Sequence, residues 1–397
     1  MLNIVVASRT ITGAIVQRLT SFFDLHIVSD GYGGALVSWL ASASSQQPEY
    51  TSHVTSVDSE GNVRWQREVR GVDHMISDGA GGAIIATDYS YDEETLFIIK
   101  IDANGRFPWG EDGVSVRREG YCDSLQLTGD GNGGAIFVWQ ERKGEPGKKT
   151  THIFAQRINY EGNLSWGQEG VLLYTTPEEV SAEEPRITSD GSGGAIVVWV
   201  QMPEGIIEEG SPEALLFDIH AQRVDARGNV LWAPNGIPLE IHKSAGFPYN
   251  PLIVSDGASG TIVLWGGPMG MYAQKIDADG NMEWRPGGVE VTGSSPNNAI
   301  SDSSGGVIVT FGCKEAETKK SRLCVQRIDA DGRTIWPGDG TGVTEHGTHA
   351  ISSDGQGGAV IAWGIGKDMF SSKKSYVQRI SADGKLLWGD KGIRLNP

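Results

Sequence analysis

Histidine and cysteine are the first residues to test for catalysis or metal binding, because they act as proton carriers, nucleophiles and metal ligands. The eight histidines share no repeated spacing, and only His346 and His349 lie within three residues of each other. Cys122, Cys313 and Cys324 form no CxxC pair. The chain also contains no GxSxG, HExxH or phosphate-binding loop motif. The sequence therefore predicts no catalytic residue and no catalytic metal.

Two of the cysteines have a possible structural role. Cys313 and Cys324 flank a predicted hairpin loop and could face each other across it. Two independent free thiols are the interpretation favoured here, and a disulfide is the alternative.

Carboxylates in the turn sequences offer oxygen ligands for calcium. Asp277, Asp279 and Asn281, and likewise Asp329 and Asp331, resemble the opening of a calcium-binding loop. Calcium needs six to eight oxygens, usually including a later bidentate carboxylate. The equivalent turns elsewhere read DARG, SADG and NYEG. Hairpin geometry is therefore the favoured reading, no cofactor is expected, and Ca²⁺ is the alternative.

Acidic side chains are also concentrated before and within one long predicted loop. A solvated surface is the ordinary explanation for such a run. The sharper hypothesis is an acidic platform that attracts a basic partner. Its candidate binding residues are Glu178, Glu179, Glu183, Glu184, Glu204, Glu208 and Glu209.

Overall charge and hydrophobicity limit the classes of partner. The net charge is −17, with 50 acidic against 33 basic residues, whereas nucleic-acid binding depends on lysine and arginine. Nucleic acid is therefore excluded as the main partner. The sequence contains no run of 18 apolar residues, so no membrane span is predicted. No basic region precedes the first apolar stretch, so no signal peptide is expected, and the compartment stays open.

The elements that must position these residues repeat seven times. An S-D-G-x-G-G-like turn recurs at spacings of 46 to 66 residues, with its aspartate at Asp30, Asp78, Asp130, Asp190, Asp256, Asp302 and Asp354. In the fourth copy, EPRITS and AIVVW are predicted strands on either side of DGSGG. HAQRV and NVLW are predicted strands on either side of the turn DARG.

This pattern predicts an all-β fold, because glycine pairs interrupt every apolar run before it reaches the length of a helix. Seven units of four strands predict a seven-bladed β-propeller of four-stranded antiparallel blades. A single propeller domain is expected over residues 24–397, and residues 1–23 are expected to form an extension or a strand that closes the ring. The blades are predicted to start near residues 24, 72, 122, 184, 250, 297 and 348.

All twelve tryptophans fall at two repeat positions. The set predicted to end the fourth strands is Trp65, Trp109, Trp166, Trp232, Trp284, Trp336 and Trp388. The set that ends the second strands is Trp39, Trp139, Trp199, Trp265 and Trp363. Packing between blades is the favoured role. A sugar-stacking platform built from the second set is the alternative.

The segments RVDARGNVLW, KIDADGNMEW and RIDADGRTIW resemble the tryptophan-docking repeat of quinoprotein-like (PQQ-like) propellers. Quinone-dependent dehydrogenases of that class carry a pair of adjacent cysteines and a calcium site, and this chain has no adjacent cysteines. The resemblance therefore implies the propeller fold without the quinone site, and non-catalytic scaffold relatives are the better analogy.

Function is expected on the loops that vary between repeats, because recognition commonly uses variable loops on a rigid scaffold. The sequence favours a non-enzymatic, monomeric module that binds a protein partner. One alternative is a carbohydrate-binding propeller, which would need exposed second-strand tryptophans. The other is a hydrolase or lyase with a site at the central channel, which would need convergent titratable groups there.

Overall fold

The computed structural model describes residues 26–40, 51–87, 95–117, 121–144, 150–177, 180–203, 217–239, 249–267, 270–291, 293–314, 320–338, 340–345, 349–366 and 372–394. Within these ranges the regular secondary structure is entirely β-strand. No helix in the described part of the chain has the length and apolar character of a membrane span.

The described strands form seven antiparallel sheets of four. Blades 1 to 3 consist of β1 (His26–Ser29), β2 (Ala35–Leu40), β3 (Thr51–Val57) and β4 (Val63–Arg70); β5 (His74–Ser77), β6 (Ala83–Thr87), β7 (Thr95–Ile101) and β8 (Val114–Arg117); and β9 (Tyr121–Gly129), β10 (Ala135–Lys143), β11 (Thr150–Ile158) and β12 (Val171–Thr175).

Blades 4 to 7 follow the same order. They consist of β13 (Val180–Ser189), β14 (Ala195–Pro203), β15 (Asp218–Val224) and β16 (Ile237–Pro238); β17 (Tyr249–Ser255), β18 (Thr261–Gly267), β19 (Gly270–Ile276) and β20 (Val289–Val291); β21 (Pro296–Ser301), β22 (Val307–Lys314), β23 (Ser321–Ile328) and β24 (Thr341–Glu345); and β25 (His349–Ser353), β26 (Ala359–Gly366), β27 (Ser372–Ile380) and β28 (Ile393–Arg394).

The sheets are arranged as a seven-bladed β-propeller, which confirms the predicted fold class. Each sheet takes its four strands consecutively from one repeat. The first strands of adjacent blades contact each other from β1 to β25, so the first strands lie nearest the axis. Turns after the first and third strands lie on one face, here called the turn face. Connections after the second and fourth strands lie on the opposite face, here called the loop face.

A buried aspartate organises the turn after each first strand. In blade 4 the Asp190 Oδ1 accepts the backbone N–H groups of Ser192 and Gly194, each at 2.8 Å. The Asp190 Oδ2 accepts the guanidinium of Arg223, at 2.9 Å. The seven aspartates are all buried. Their cationic partners are Arg64, Lys100, Arg157, Arg223, Lys275, Arg327 and Arg379.

The prediction that NVLW forms the fourth strand is wrong. In blade 4 this segment contributes only an isolated bridge, and β16 begins after Trp232. In this blade the Gln222 Oε1 accepts the Trp232 backbone N–H at 3.1 Å, and its Nε2 donates to the Ala233 carbonyl at 2.8 Å. A side chain thus takes the place of strand-ladder bonds. Blade 1 has Thr55 at this position and Trp65 lies inside β4, whereas blade 2 has Ile99 and β8 still begins after Trp109.

The tryptophans that follow the third-strand turns join consecutive blades. Each Nε1 donates to a backbone carbonyl in the next blade's turn, at 2.8 Å from Trp65 to Ala103 and 3.2 Å from Trp166 to Ala226. The other bonds of this kind come from Trp109, Trp232, Trp284 and Trp336. These six indoles are at most 9 % exposed. These six indoles therefore pack between consecutive blades.

A glycine in the receiving turn makes this contact possible. Gly280 has a φ of +91°, which side chains of L-residues rarely adopt. A Cβ at Gly280 would also lie 3.1 Å from the ring of Trp232. The turn therefore needs glycine both for its backbone conformation and for the space that the indole occupies.

The seventh tryptophan differs from the other six. Trp388 is half-buried, and its Nε1 forms no hydrogen bond to any described residue, although its backbone N–H is bound by Gln378 at 2.9 Å. Residues 1–23, the predicted extension or closing strand, lie outside the described residues. In the described part of the chain, the junction from blade 7 to blade 1 therefore shows no indole bond of the kind that the other six junctions share.

The expectation of two free thiols is wrong, because Cys313 and Cys324 form a disulfide with their Cα atoms 5.8 Å apart. Cys313 pairs with Arg322, and Phe311 pairs with Cys324, on β22 and β23. The two cysteines are thus diagonal neighbours on one face of a strand pair, within bonding distance.

We expect Trp284→Phe to lower the free energy of unfolding by about 2 kcal/mol, because it removes the bond to Ala330 and leaves a space in the core. Trp388→Phe is the matched control and should cost less than about 1 kcal/mol, since its Nε1 has no carbonyl partner. Urea denaturation measures both values. Equal losses would contradict the role assigned to the indole bond.

Candidate functional site

The first strands of blades 3 to 6 are irregular at the same position near the loop face. The register shifts occur in β9, β13, β17 and β21 against their partner strands. In blades 3 to 5 a non-glycine residue six positions before the turn aspartate also adopts a positive φ: Ser124 (58°), Glu184 (53°) and Asn250 (52°). Such backbone strain concentrates at binding sites, where bulges redirect side chains.

Two residues further along the first strands, the side chain is polar in five of the seven blades. The position four residues before each turn aspartate holds, in blade order, His26, His74, Gln126, Arg186, Leu252, Asn298 and Ala350, here called the channel layer. Its members from different blades act on one another. The rings of His26 and His74 lie 6.4 Å apart, and the charge of Arg186 acts on His74.

Burial keeps the channel histidine uncharged. Burial, together with the charges of His26 and Arg186, lowers the pKa of His74 from 6.5 to about 4. The His74 Nδ1 is buried and has no hydrogen-bond partner among the described residues. His74 is therefore neutral at pH 7 and retains hydrogen-bonding capacity towards the channel.

Arg186 is the permanent cation of the channel layer. Its Nη1 donates to the Pro185 carbonyl at 3.3 Å. No carboxylate of the described residues lies within salt-bridge distance of its guanidinium. Burial lowers the pKa of Arg186, and the charge of Glu184 acts in the opposite direction. Since arginine titrates far above pH 7, it stays charged.

Of the predicted acidic residues, the structure describes Glu183 and Glu184, and it separates their roles. The Glu183 carboxylate accepts Arg142 at 2.7 Å and Gln140 at 2.9 Å, which joins blade 4 to blade 3. The Glu184 Oε2 is buried and has no partner among the described residues. The remaining five, Glu178, Glu179, Glu204, Glu208 and Glu209, lie outside the described residues.

Four of the second-strand tryptophans do not provide the exposed rings that a sugar platform needs. Trp139, Trp199, Trp265 and Trp363 are at most 4 % exposed. Each stacks on a ring from the paired strand, such as Phe154 on Trp139 at 5.6 Å. Trp39 is half-buried beside His53, with the ring centroids 5.6 Å apart. The four buried rings also belong to clusters that include residues of the preceding blade, so they pack between blades.

Residues that resembled a calcium loop bond to their own turn. Asp277 Oδ1 accepts the backbone N–H groups of Asp279 and Asn281, and its Oδ2 accepts the Asn281 side chain at 2.9 Å. The turn geometry alone therefore explains these residues. In the described part of the chain, no three histidine, cysteine or acidic residues come together as metal ligands.

The sequence predictions did not include the channel layer. Repeat comparison searches for identical residues, whereas this position holds seven side chains of six types. The signal that could have found the channel layer is its fixed sequence position, four residues before each turn aspartate. Of the close histidine pair, His349 hydrogen-bonds the Thr310 hydroxyl at 2.8 Å, and His346 lies outside the described residues.

Comparison with known proteins supports the fold and does not identify a family. No family model matches the chain, and no curated protein matches its sequence. Prolyl oligopeptidase B from Galerina marginata is similar over 96 % of this chain and 53 % of its own, at 11 % identity and a TM-score of 0.50. The β-propeller domain of the Trilobed protease from Pyrococcus furiosus is similar over 95 % of this chain and 98 % of its own, at 13 % identity and a TM-score of 0.48.

Polysaccharide lyase Uly1 is also similar, over 90 % of this chain and 89 % of its own, at 9 % identity and a TM-score of 0.47. These similar structures thus come from two proteins named as peptidases and from a lyase. Similarity at such low identity shows the fold and leaves the activity open.

A second half-buried histidine makes the fold sensitive to acid. His220 on β15 packs against the rings of Trp199 and Tyr174, each with its centroid 6.0 Å from the imidazole centroid. Burial lowers the pKa of His220 from 6.5 to about 4. Between these two values the unfolded chain binds a proton that the native state does not, so stability falls as the pH falls.

We expect His220→Phe to remove this contribution, which is about 2 kcal/mol between pH 7 and pH 5. Phenylalanine retains the ring contacts and cannot be protonated. Urea denaturation of both proteins at pH 7 and pH 5 gives the difference. If the variant loses as much stability as the parent over this range, His220 is not the source.

Proposed function

We propose that the protein is a non-catalytic binding module whose protein partner docks on the loop face around blades 3 to 5. The observation that carries this proposal is the bulge shared by β9, β13 and β17, each with a non-glycine residue at positive φ. In three consecutive blades the same first-strand position has this unfavourable backbone conformation, which supports a common binding role.

The contrast between the two faces supports this choice. On the turn face, each aspartate is bonded to its own turn and to a cation, and six indoles are bonded to the next blade. These groups hold the fold together and have little capacity left for a partner. On the loop face the described residues include a buried, unpaired Glu184 oxygen. Free hydrogen-bonding capacity is therefore greater on the loop face.

Charge on the loop face favours a basic partner. Val180 and Pro203 pair at the open end of β13 and β14. In the sequence, Glu179 immediately precedes Val180 and Glu204 immediately follows Pro203. The acidic segments therefore leave the fold at one place, next to Glu183 and Glu184. We propose that this blade 4 edge is the acidic platform, and that it speeds association electrostatically.

The proposal also covers the family to which the repeat is related. The bond from each indole to the next blade's turn supports a relationship with the tryptophan-docking repeats of quinoprotein-like propellers, as a scaffold without the quinone site. The protein would then act as a monomer that presents its loop face to one partner.

The test compares two variants that remove equal charge from opposite faces. The loop-face variant carries Glu178→Gln, Glu179→Gln, Glu183→Gln and Glu184→Gln. The turn-face control carries Glu60→Gln, Glu161→Gln, Asp279→Asn and Asp331→Asn, all at exposed positions. We expect partners captured from the source organism by the parent protein at low salt to be lost with the loop-face variant and retained with the control.

Urea unfolding first establishes that both variants are folded. Partners retained by the loop-face variant, or lost equally from both variants, would overturn the assignment of the binding face. Capture that persists at high salt would overturn its electrostatic part.

A further inference from the structure

The channel layer contains an arc of hydrogen-bond donors without a described carboxylate partner. His26, His74, Gln126 and Arg186 occupy the same strand position in blades 1 to 4, and all four are half-buried. From this arc we propose that the central channel binds the carboxylate group of a small organic ligand, with Arg186 as the principal contact. This site adjoins the loop-face platform at Glu184, but it does not depend on that proposed function.

The bonding of the other half-buried arginines makes Arg186 unusual. Arg157, Arg223, Arg327 and Arg379 each place two guanidinium nitrogens on a buried aspartate at 2.8 to 3.2 Å. Arg142 donates through Nη2 to both oxygens of Glu183 at 2.7 Å, and Arg67 makes two short bonds to carbonyls, at 2.6 and 2.8 Å. Arg186 has instead a single long bond to a carbonyl. Its planar set of donors is therefore available to a carboxylate in the channel.

The local charge favours a monoanion. Arg186 supplies one permanent positive charge, and His74 is neutral because burial holds its pKa at about 4. Glu184 lies near enough for its charge to act on Arg186. A dianion such as phosphate would meet too little positive charge and an opposing carboxylate. A carboxylate would receive the guanidinium fork and neutral donors from His74 and Gln126.

The rest of the channel layer indicates the body of the ligand. On the far side of the ring, Leu252 and Ala350 alternate with Asn298. Asn298 is already within hydrogen-bond distance of His349, at 3.3 Å. A short hydrocarbon chain attached to the carboxylate would therefore meet apolar side chains opposite the donors.

The test uses butyrate as the probe, with its neutral isostere butyramide and inorganic phosphate as comparisons. Imidazole signals of His26 and His74 are followed by NMR in the full-length protein. We expect butyrate to shift both signals saturably and to raise the pKa of His74, because a nearby anion favours the protonated ring. Butyramide should cause no saturable shift, and phosphate should bind more weakly than butyrate at pH 7.5.

Two variants and a control decide the assignment. Arg186→Gln should weaken butyrate binding about tenfold or more, and Arg186→Lys, which retains the charge without the fork, should weaken it less. Arg333→Gln removes an exposed arginine from the turn face and should leave binding unchanged. Equal affinity in the parent and Arg186→Gln, or equal shifts with butyrate and butyramide, would overturn the proposal. Phosphate binding as tight as butyrate would overturn the preference for a carboxylate.

Discussion

One recurring contact, an indole N–H bonded to a turn carbonyl of the next blade, connects six pairs of adjacent blades in this propeller. It combines a tryptophan in one blade, a glycine at the close approach in the next, and a polar side chain that shapes the receiving turn. The tryptophan and the glycine recur at all six junctions, and the turn residue is aspartate at four of them and Asn159 or Ser381 at the other two. The repeated sequence signal therefore reports contacts between blades as much as structure within a blade.

Adjacent residues on the third strands extend this connection. Neighbours on a strand point to opposite faces of the sheet, so Gln222 and Arg223 act in different directions. Gln222 holds the backbone of Trp232 in its own blade, whereas Arg223 joins Asp190 to the Ala278 carbonyl of the next blade. These bonds use most of the polar capacity of the turn face. Functional variation is consequently left to the loop face and the channel.

The sequence predicted the features that depend on the same residue type at the same position of each repeat. The aspartate turns, the glycines and six of the seven junction tryptophans belong to this group. The fourth strands begin later than predicted in blades 2 to 7. In blades 3 to 7 a glutamine side chain takes the place of ladder bonds beside the tryptophan, and hydrophobic periodicity does not register such a substitution. The bond between Cys313 and Cys324 depended on the register of two strands. The channel layer was missed because its residue types differ between blades.

A repeat fold can acquire a specific ligand site at positions where the residue type differs between repeats. Each turn aspartate fixes the end of its first strand, so the residue four positions earlier is held near the axis whatever its side chain is. Blade 2 carries His74 at this position and blade 4 carries Arg186, yet both turns have the same aspartate bonds. A substitution there changes the chemistry of the channel while the bonds between blades persist. The rigid turn face thus leaves the channel free to vary.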